Sequence, residues 1–173
     1  MTEKTGKERK TGMDIDKNAM LAKIGRFAEK RTAEEKKKTE AEKRAYDEAK
    51  AALEAPEMKA RIGTLLEIAN AARKAGIDIH KFYTYGKDDR IGFIQPDGDG
   101  DVTHCGIAVR DTCGSTELWV GPDGAKGVQR GFLNGMPEYG ERRADTGRME
   151  RFALKLPKFE AAFVRYLDET CQK

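Results

Sequence analysis

The chain has 173 residues, of which 36% are charged and 38% hydrophobic, a polar composition for a globular domain. Its formal net charge of +3 is too small to identify a nucleic-acid-binding protein by composition alone. No apolar run approaches the roughly 18 residues of a membrane span, and no apolar segment follows the basic N-terminus as in a secretory signal. Its three cysteines lack paired spacing, which argues against a disulfide framework and indicates a reducing cytosol.

The first third of the chain carries the excess charge. Residues 1–55 hold 15 Lys/Arg and 12 Asp/Glu, whereas residues 56–173 hold 18 of each. We predict that residues 1–13 form a disordered tail and that residues 14–55, rich in Ala, Glu and Lys, form a charged helical arm. Its apolar positions recur at helical spacing but are mostly alanine beyond Phe27, so the arm should stay solvated unless a partner covers it.

Residues 56–173 are predicted to form one compact α+β domain, which begins with a helix. Pro56 suits the first helical position, where its missing N–H costs nothing. An apolar face from Met58 to Ala72 belongs to the core, and Gly76 is a left-handed C-terminal cap.

A glycine-rich region with β-prone segments follows this helix. The pattern predicts a small antiparallel sheet of about four to five strands. They are His80–Tyr85, Arg90–Gln95, Val102–Val109, Thr116–Val120 and Val128–Leu133. Turns are predicted at Gly86–Asp89 and Gly121–Gly124.

The last region is predicted to be helical. Residues 134–144 are predicted to be a loop, after which apolar residues from Met149 to Leu167 follow helical spacing. Pro157 should divide this region into a short and a longer helix that cover the sheet. The predicted fold is therefore α+β: a long N-terminal helical arm, then an antiparallel sheet packed by a preceding helix and by C-terminal helices.

No residue set in the sequence matches a catalytic or metal site. The acidic stretch Asp97–Asp101 lacks the glycine and glutamate positions of an EF-hand and is better explained as a turn. His104, Cys105 and Cys113 lack the paired spacing of a zinc site. We therefore predict no metal, no cofactor and no enzymatic activity; an enzyme using His104 and Cys113 is the weaker alternative.

Two groups of basic residues are the candidate partner-binding sites, with Tyr83, Tyr85 and Trp119 as stacking platforms if they face solvent. The alternative is that both groups are ordinary solvated faces, partly neutralised by nearby glutamates. The arm contributes Lys36, Lys37, Lys38, Lys43 and Arg44. The C-terminal region contributes Arg142, Arg143, Arg148, Arg151, Lys155 and Lys158.

From Arg61 onward the chain resembles small accessory proteins of phages and integrative elements of gut Firmicutes. The likeness rests on Leu65–Asn70, Ala75–Ile77, Ile91–Ile94, the Cys113–Gly114 turn and Leu156–Asp168, and it leaves out the arm. The resemblance implies a mobile-element cargo protein, a class that includes anti-CRISPR proteins, but no catalytic residues to carry over.

These observations support three functional hypotheses. The leading one is a non-catalytic binding protein that inhibits a host defence nuclease such as a CRISPR effector, with or without its bound nucleic acid, in the cytoplasm of the bacterial host cell. The second is a DNA- or RNA-binding accessory factor, and the third is the enzyme mentioned above. An alternative partner for the arm is a second copy of itself, because alanine-striped helices can associate.

Overall fold

The computed structural model describes residues 16–80, 90–111, 114–133 and 136–172. Three helices and five strands follow one another in the order α1, α2, β1 to β5, α3. This arrangement confirms the predicted α+β class with a long N-terminal helix and an antiparallel sheet. The contacts within the chain divide it after Glu42 into two units, and this boundary lies inside α1.

The first helix, α1, spans Lys17–Glu54 without interruption. Asp16 caps it, because its carboxylate accepts hydrogen bonds from the backbone N–H groups of Asn18 and Ala19 at 3.1 Å. All side chains from Asp16 to Arg44 are exposed, whereas Leu53 near the other end is fully buried. The predicted disordered tail, residues 1–13, lies outside the described residues.

The second helix, α2, spans Pro56–Lys74, as its predicted start and stop signals require. Pro56 stands at the first helical position, and Gly76 takes the left-handed φ of 80°. The N–H groups of Gly76 and Ile77 donate to the carbonyls of Arg73 and Ala72 at 3.0 and 2.9 Å, which is a Schellman cap.

The five strands form one antiparallel sheet in the order β1-β2-β3-β4-β5. Their bounds are Ile91–Ile94, His104–Asp111, Gly114–Gly121, Gly124–Leu133 and Met136–Arg142. Gly121 and Gly124 pair across the predicted turn, whose two central residues are Pro122 and Asp123, and Gly124 has a left-handed φ of 113° that favours glycine. The predicted strand His80–Tyr85 and turn Gly86–Asp89 fall, apart from His80, outside the described residues.

Two predictions for the C-terminal region are wrong. Residues 134–144 are not a loop throughout, because Met136–Arg142 form β5, paired with β4. Pro157 does not divide the last helix, because α3 runs from Thr146 to Cys171 through it. An interior proline costs about 3 kcal/mol. Here it faces solvent, and the buried residues on either side, Phe152, Leu156 and Phe163, hold the helix on the sheet.

The helices pack on one face of the sheet. Helix α2 contacts β2 and β3, and α3 contacts β1 and β2. Phe93 of β1 meets Phe159 and Phe163 of α3 at ring-centroid distances of 5.2 and 4.8 Å. Arg61 of α2 binds Glu160 of α3 through two guanidinium nitrogens. The core therefore lies between this sheet face and the helices. The buried side of α3 faces the core, so its remaining side chains point away from the core.

Candidate partner-binding surfaces

The first predicted basic group lies on α1. Lys36, Lys37 and Lys38 are consecutive, so their side chains leave α1 about 100° apart. Lys43 and Arg44 are likewise neighbours, and all five side chains are exposed. At 100° per residue, the positions of four of the five residues fall within about 120° of one another, and only Lys38 lies on the other side of the helix.

Many charges of α1 are matched by a residue of opposite sign one turn away. Lys30 lies 3.9 Å from Glu34, Arg31 lies 3.4 Å from Glu35, and Lys38 lies 3.8 Å from Glu42. Exposed pairs of this kind contribute only a few tenths of a kcal/mol each. Their main effect is to reduce the positive potential that a phosphate backbone would encounter.

The exposed part of α1 also carries an apolar surface, which was not among the predicted site residues. Met20, Leu21, Ile24 and Phe27 are 49%, 55%, 57% and 63% exposed. Their positions lie within about 120° of one another around the helix, at the i, i+4 and i+7 spacing of one face. We call these four residues the apolar stripe of α1. The sequence showed their spacing, but only the structure shows that no described residue buries them.

The C-terminal basic group is partly assembled into one surface. Arg148, Arg151, Lys155 and Lys158 follow one another at intervals of three and four residues, so they occupy one side of α3. We call these four residues the basic flank of α3. Arg148 donates from Nη2 to Thr116 Oγ1 on β3 at 2.9 Å, and Lys155 and Lys158 are exposed.

Arg142 and Arg143 precede this helix and point in different ways. Arg142 ends β5, opposite Gly127, and its side chain is exposed. The guanidinium carbon of Arg143 lies 3.7 Å from the centre of the Tyr46 ring, a cation–π contact with the buried end of α1. Arg143 therefore serves packing, and Arg142 stays available.

Trp119 does not face solvent, which removes it as a stacking platform. It is 6% exposed and lies on the sheet face opposite the helices. Its Nε1 donates to Glu117 Oε2 at 2.5 Å, and Glu117 Oε1 accepts from Ser115 Oγ at 3.1 Å. Glu117 is also ion-paired with Arg130 Nε at 3.0 Å. Tyr83 and Tyr85, the other proposed platforms, lie outside the described residues.

A shallow cavity of about 270 Å³ adjoins this cluster. Its charged lining residues have opposite signs: the Lys126 amine lies 3.4 Å from the Glu141 carboxylate, and Asp97 stands on the rim. Because these charges lie beside one another, the cavity favours neither a cationic nor an anionic ligand. The full lining is Pro96, Asp97, Trp119, Lys126, Val128, Gly140 and Glu141.

His104, the first residue of β2, has a contact at each of its two ring nitrogens. Its Nδ1 lies 2.7 Å from Thr103 Oγ1 and its Nε2 lies 2.9 Å from Asp123 Oδ1. Burial lowers the pKa of His104, and the charge of Asp123 opposes that effect. Asp111, at the other end of β2, is roughly 23 Å away at 3.3 Å per residue. Cys113 itself lies outside the described residues.

Among the described residues, the remaining candidates for metal or thiol chemistry do not form a site. Cys105 is fully buried, and this burial raises the pKa of its thiol, which disfavours the reactive thiolate. Within the described ranges, no group of three or more His, Cys, Asp or Glu residues is placed to hold a metal ion. None of the helices in that part of the chain is long and apolar enough to cross a membrane.

Comparisons with known protein families, with curated proteins and with solved structures found no match to this chain.

Proposed function

We propose that this chain is a non-catalytic binding protein that docks on a partner protein through the apolar stripe of α1 and occludes the surface beneath it. The exposure of four large hydrophobic side chains on one side of a helix is the observation that carries this proposal. Burying one such side chain contributes about 1.5–3 kcal/mol. A helix with anchors at i, i+4 and i+7 is the form that hydrophobic grooves of partner proteins bind.

The charges around the stripe favour a protein over a nucleic acid as its partner. Lys30, Arg31 and Lys38 each lie beside a glutamate one turn away, so α1 presents alternating signs. A phosphate backbone needs unmatched cations, whereas the charged border of an apolar groove accommodates both signs.

The resemblance to mobile-element accessory proteins suggests the class of partner. We propose a host defence nuclease such as a CRISPR effector, alone or with its nucleic acid, in the cytoplasm of a bacterial host. The target class rests on that resemblance alone, and the exposed stripe supports only the mode of binding. The competing occupant of the stripe is a second copy of this chain, paired through α1.

The test is a pull-down of the tagged full chain from a CRISPR-bearing host lysate, with and without nuclease treatment. The variant Ile24→Asp/Phe27→Asp should lose the recovered effector at least tenfold. The control Ala22→Asp/Ala33→Asp adds the same two charges to exposed alanines on the opposite side of α1 and should retain it. Equal recovery by both variants would show that the stripe is not the surface that binds the effector.

Two further readouts separate the alternatives. Recovery of the effector irrespective of nuclease treatment supports direct binding to protein, whereas recovery only without treatment indicates a bridge of nucleic acid. Sedimentation of the wild type and of Ile24→Asp/Phe27→Asp identifies self-association. A wild-type dimer that the variant converts to a monomer, with no effector recovered, would replace the partner protein by a second copy.

A further inference from the structure

We infer that the solvent-facing side of α3 is a second docking surface, one that binds an amphipathic helix of another protein whose apolar side is bordered by carboxylates. This surface belongs to the unit that follows Glu42, whereas the apolar stripe of α1 belongs to the unit before it. The inference is therefore independent of the proposed function. It rests on a row of apolar residues on the outer side of α3, on a proline within that row and on the charges around it.

The outer side of α3 carries apolar residues where a surface helix normally carries polar ones. Leu154 is 80% exposed and Val164 is 49% exposed, and among the described residues no large hydrophobic side chain is more exposed than Leu154. Pro157 and Ala161 lie between them and are also exposed. At 100° per residue, the four positions fall within about 80° of one another. We call this row the outer stripe of α3: Leu154, Pro157, Ala161 and Val164.

The outer stripe is distinct from the side of α3 that packs on the sheet. Phe152, Leu156 and Phe163 are fully buried, and the centre of their positions lies about 140° around the helix from the centre of the stripe. The core therefore makes no use of the stripe. Its residues follow one another at intervals of three and four, which is the spacing at which one helix presents apolar side chains to another. A second helix is the element that fits such a row.

Pro157 lies in the middle of the stripe at a cost to α3. A proline inside a helix has no N–H, so the carbonyl of Ala153 receives no i→i−4 hydrogen bond from residue 157. Because Pro157 faces solvent, burial of its ring in the core does not offset this cost. Residues that break a local folding rule in this way are expected at functional surfaces. Between Leu154 and Val164, the short side chains of Pro157 and Ala161 leave room for the side chains of a second helix.

The charges beside the stripe indicate the chemistry of the partner helix. Lys158 and Arg165 are exposed on one border of the stripe, about 60–80° from its centre. Neither forms an ion pair within the part of the chain that the structure describes. A helix that places carboxylates opposite this border gains two contacts between opposite charges. Border charges of this kind select the partner helix and its orientation.

The acidic residues at the ends of the stripe disfavour a second copy of this chain as its occupant. Glu150 and Asp168 are exposed and lie in line with the stripe, one beyond each end. In an antiparallel pair centred on the stripe, Glu150 of one copy would face Asp168 of the other, and in a parallel pair each would face itself. Like charges in direct opposition are unfavourable.

The size of the outer stripe also favours a short helix over a second copy. From Leu154 to Val164 the helix advances ten residues, so the stripe is about 15 Å long and about 10 Å wide. This area is well below the roughly 800 Å² per partner of a stable interface. Reversible docking of one helix therefore fits the stripe better than a permanent dimer does.

The test is fluorescence anisotropy of two labelled, stapled helical peptides of about 15 residues, with leucine at the a and d positions and either glutamate or lysine at e and g. At low salt the full chain should bind the glutamate peptide about tenfold more tightly than the lysine peptide. Leu154→Gln/Val164→Gln should weaken binding of the glutamate peptide about tenfold, because it removes both large apolar contacts. The control Ala60→Gln/Ala71→Gln places the same side chains at exposed positions of α2 and should leave binding unchanged.

The border charges have a test of their own. Lys158→Gln/Arg165→Gln should reduce the preference for the glutamate peptide from about tenfold to about twofold. The matched variant Lys36→Gln/Lys37→Gln removes two charges from α1 and should keep the full preference.

Three outcomes would overturn the inference. The first is that neither peptide binds, or that both bind equally, because the border then selects no carboxylates. The second is loss of binding in Ile24→Asp/Phe27→Asp but not in Leu154→Gln/Val164→Gln, which would place the peptide on α1. The third is a dimer in sedimentation that Leu154→Gln/Val164→Gln converts to a monomer, which would assign the outer stripe to a second copy. Because the two variants lie on separate helices, failure here is distinguishable from failure of the proposed function.

Discussion

The exposed half of α1, residues 17–42, and helix α3 are both long, charged helices, yet the structure uses them in opposite ways. In residues 17–42 of α1 the large apolar side chains reach solvent and many of the charges pair within the helix. In α3 the large side chains Phe152, Leu156 and Phe163 are fully buried and the basic flank lies on one side, although Leu154 and Val164 are exposed. Residue content alone therefore does not distinguish an apolar docking surface from a cationic one. The angular order of residues around the helix does.

The largest expected effect tests the apolar half of this comparison. Phe163→Ala should lower the free energy of unfolding by about 3–5 kcal/mol, because it leaves a cavity against Phe93. Phe27→Ala removes the same ring from a side chain that is 63% exposed and should change stability by less than about 0.5 kcal/mol. Urea denaturation of both variants measures the difference. A loss above 1 kcal/mol for Phe27→Ala would mean that the stripe is already covered.

A smaller effect concerns charges that are buried rather than solvated. Glu117→Gln should cost about 2 kcal/mol, less than a fully buried pair, because the Arg130 side chain is 22% exposed. The matched variant on α1, Glu34→Gln, loses a solvated pair with Lys30 and should cost a few tenths of a kcal/mol. Urea denaturation gives both values. Emission from Trp119, the chain's one tryptophan, should shift only in Glu117→Gln, and an unchanged spectrum would contradict its anchoring role.

The next effect compares an ion pair between helices with one inside a helix. Glu160→Gln removes the bidentate partner of Arg61 and should cost about 1 kcal/mol, since both side chains are partly exposed. Glu35→Gln loses only the exposed contact with Arg31 and should cost about 0.3 kcal/mol. Thermal unfolding at low and at high salt distinguishes them. Equal costs for the two variants would show that the α2–α3 pair contributes no more than a surface pair.

The smallest effect is a dependence of stability on pH that comes from His104. Residues 17–42 contain no histidine and supply no such contribution near neutral pH. Because burial lowers the pKa of His104 below 6.5, the unfolded chain binds this proton more readily than the folded chain. His104 therefore contributes its full stabilisation above about pH 6.5 and loses it as the pH falls. Thermal midpoints measured from about pH 7.5 to 5.5 should fall less in His104→Gln than in the wild type. Parallel curves would show that another group titrates.

Much of the fold was predictable from local signals, and the misses have physical reasons. Pro56 and Gly76 mark the ends of α2 because each has a backbone preference that needs no tertiary contact. Strand β5 contains Pro137 and Gly140, which lack strand propensity, so pairing with β4 and not local preference accounts for it. Continuity of α3 through Pro157 likewise depends on packing, which no local rule contains.

The candidate surfaces were predictable to different degrees. The spacing of Arg148, Arg151, Lys155 and Lys158 already indicates one side of a helix. The same rule separates Lys38 from Lys36 and Lys37, which share one side of α1 with Lys43 and Arg44. The burial of Trp119 could not be predicted, because β3 buries Trp119 and Glu117 on one face and Leu118 and Val120 on the other. Such a strand has no alternation to show which face reaches water.

The continuity of α1 has a consequence for the energetics of recognition. Starting a helix is the unfavourable step, whereas extending one is nearly neutral for good helix formers. Tyr46, Ala49 and Leu53 pack against the core, so the final turns of α1 are already wound and the turns before them merely propagate. A ligand that grips Ile24 and Phe27 would therefore meet a preformed rod, and little of its binding energy would be spent on ordering the chain. A free peptide of the same residues would have to nucleate first, and should bind more weakly for that reason alone.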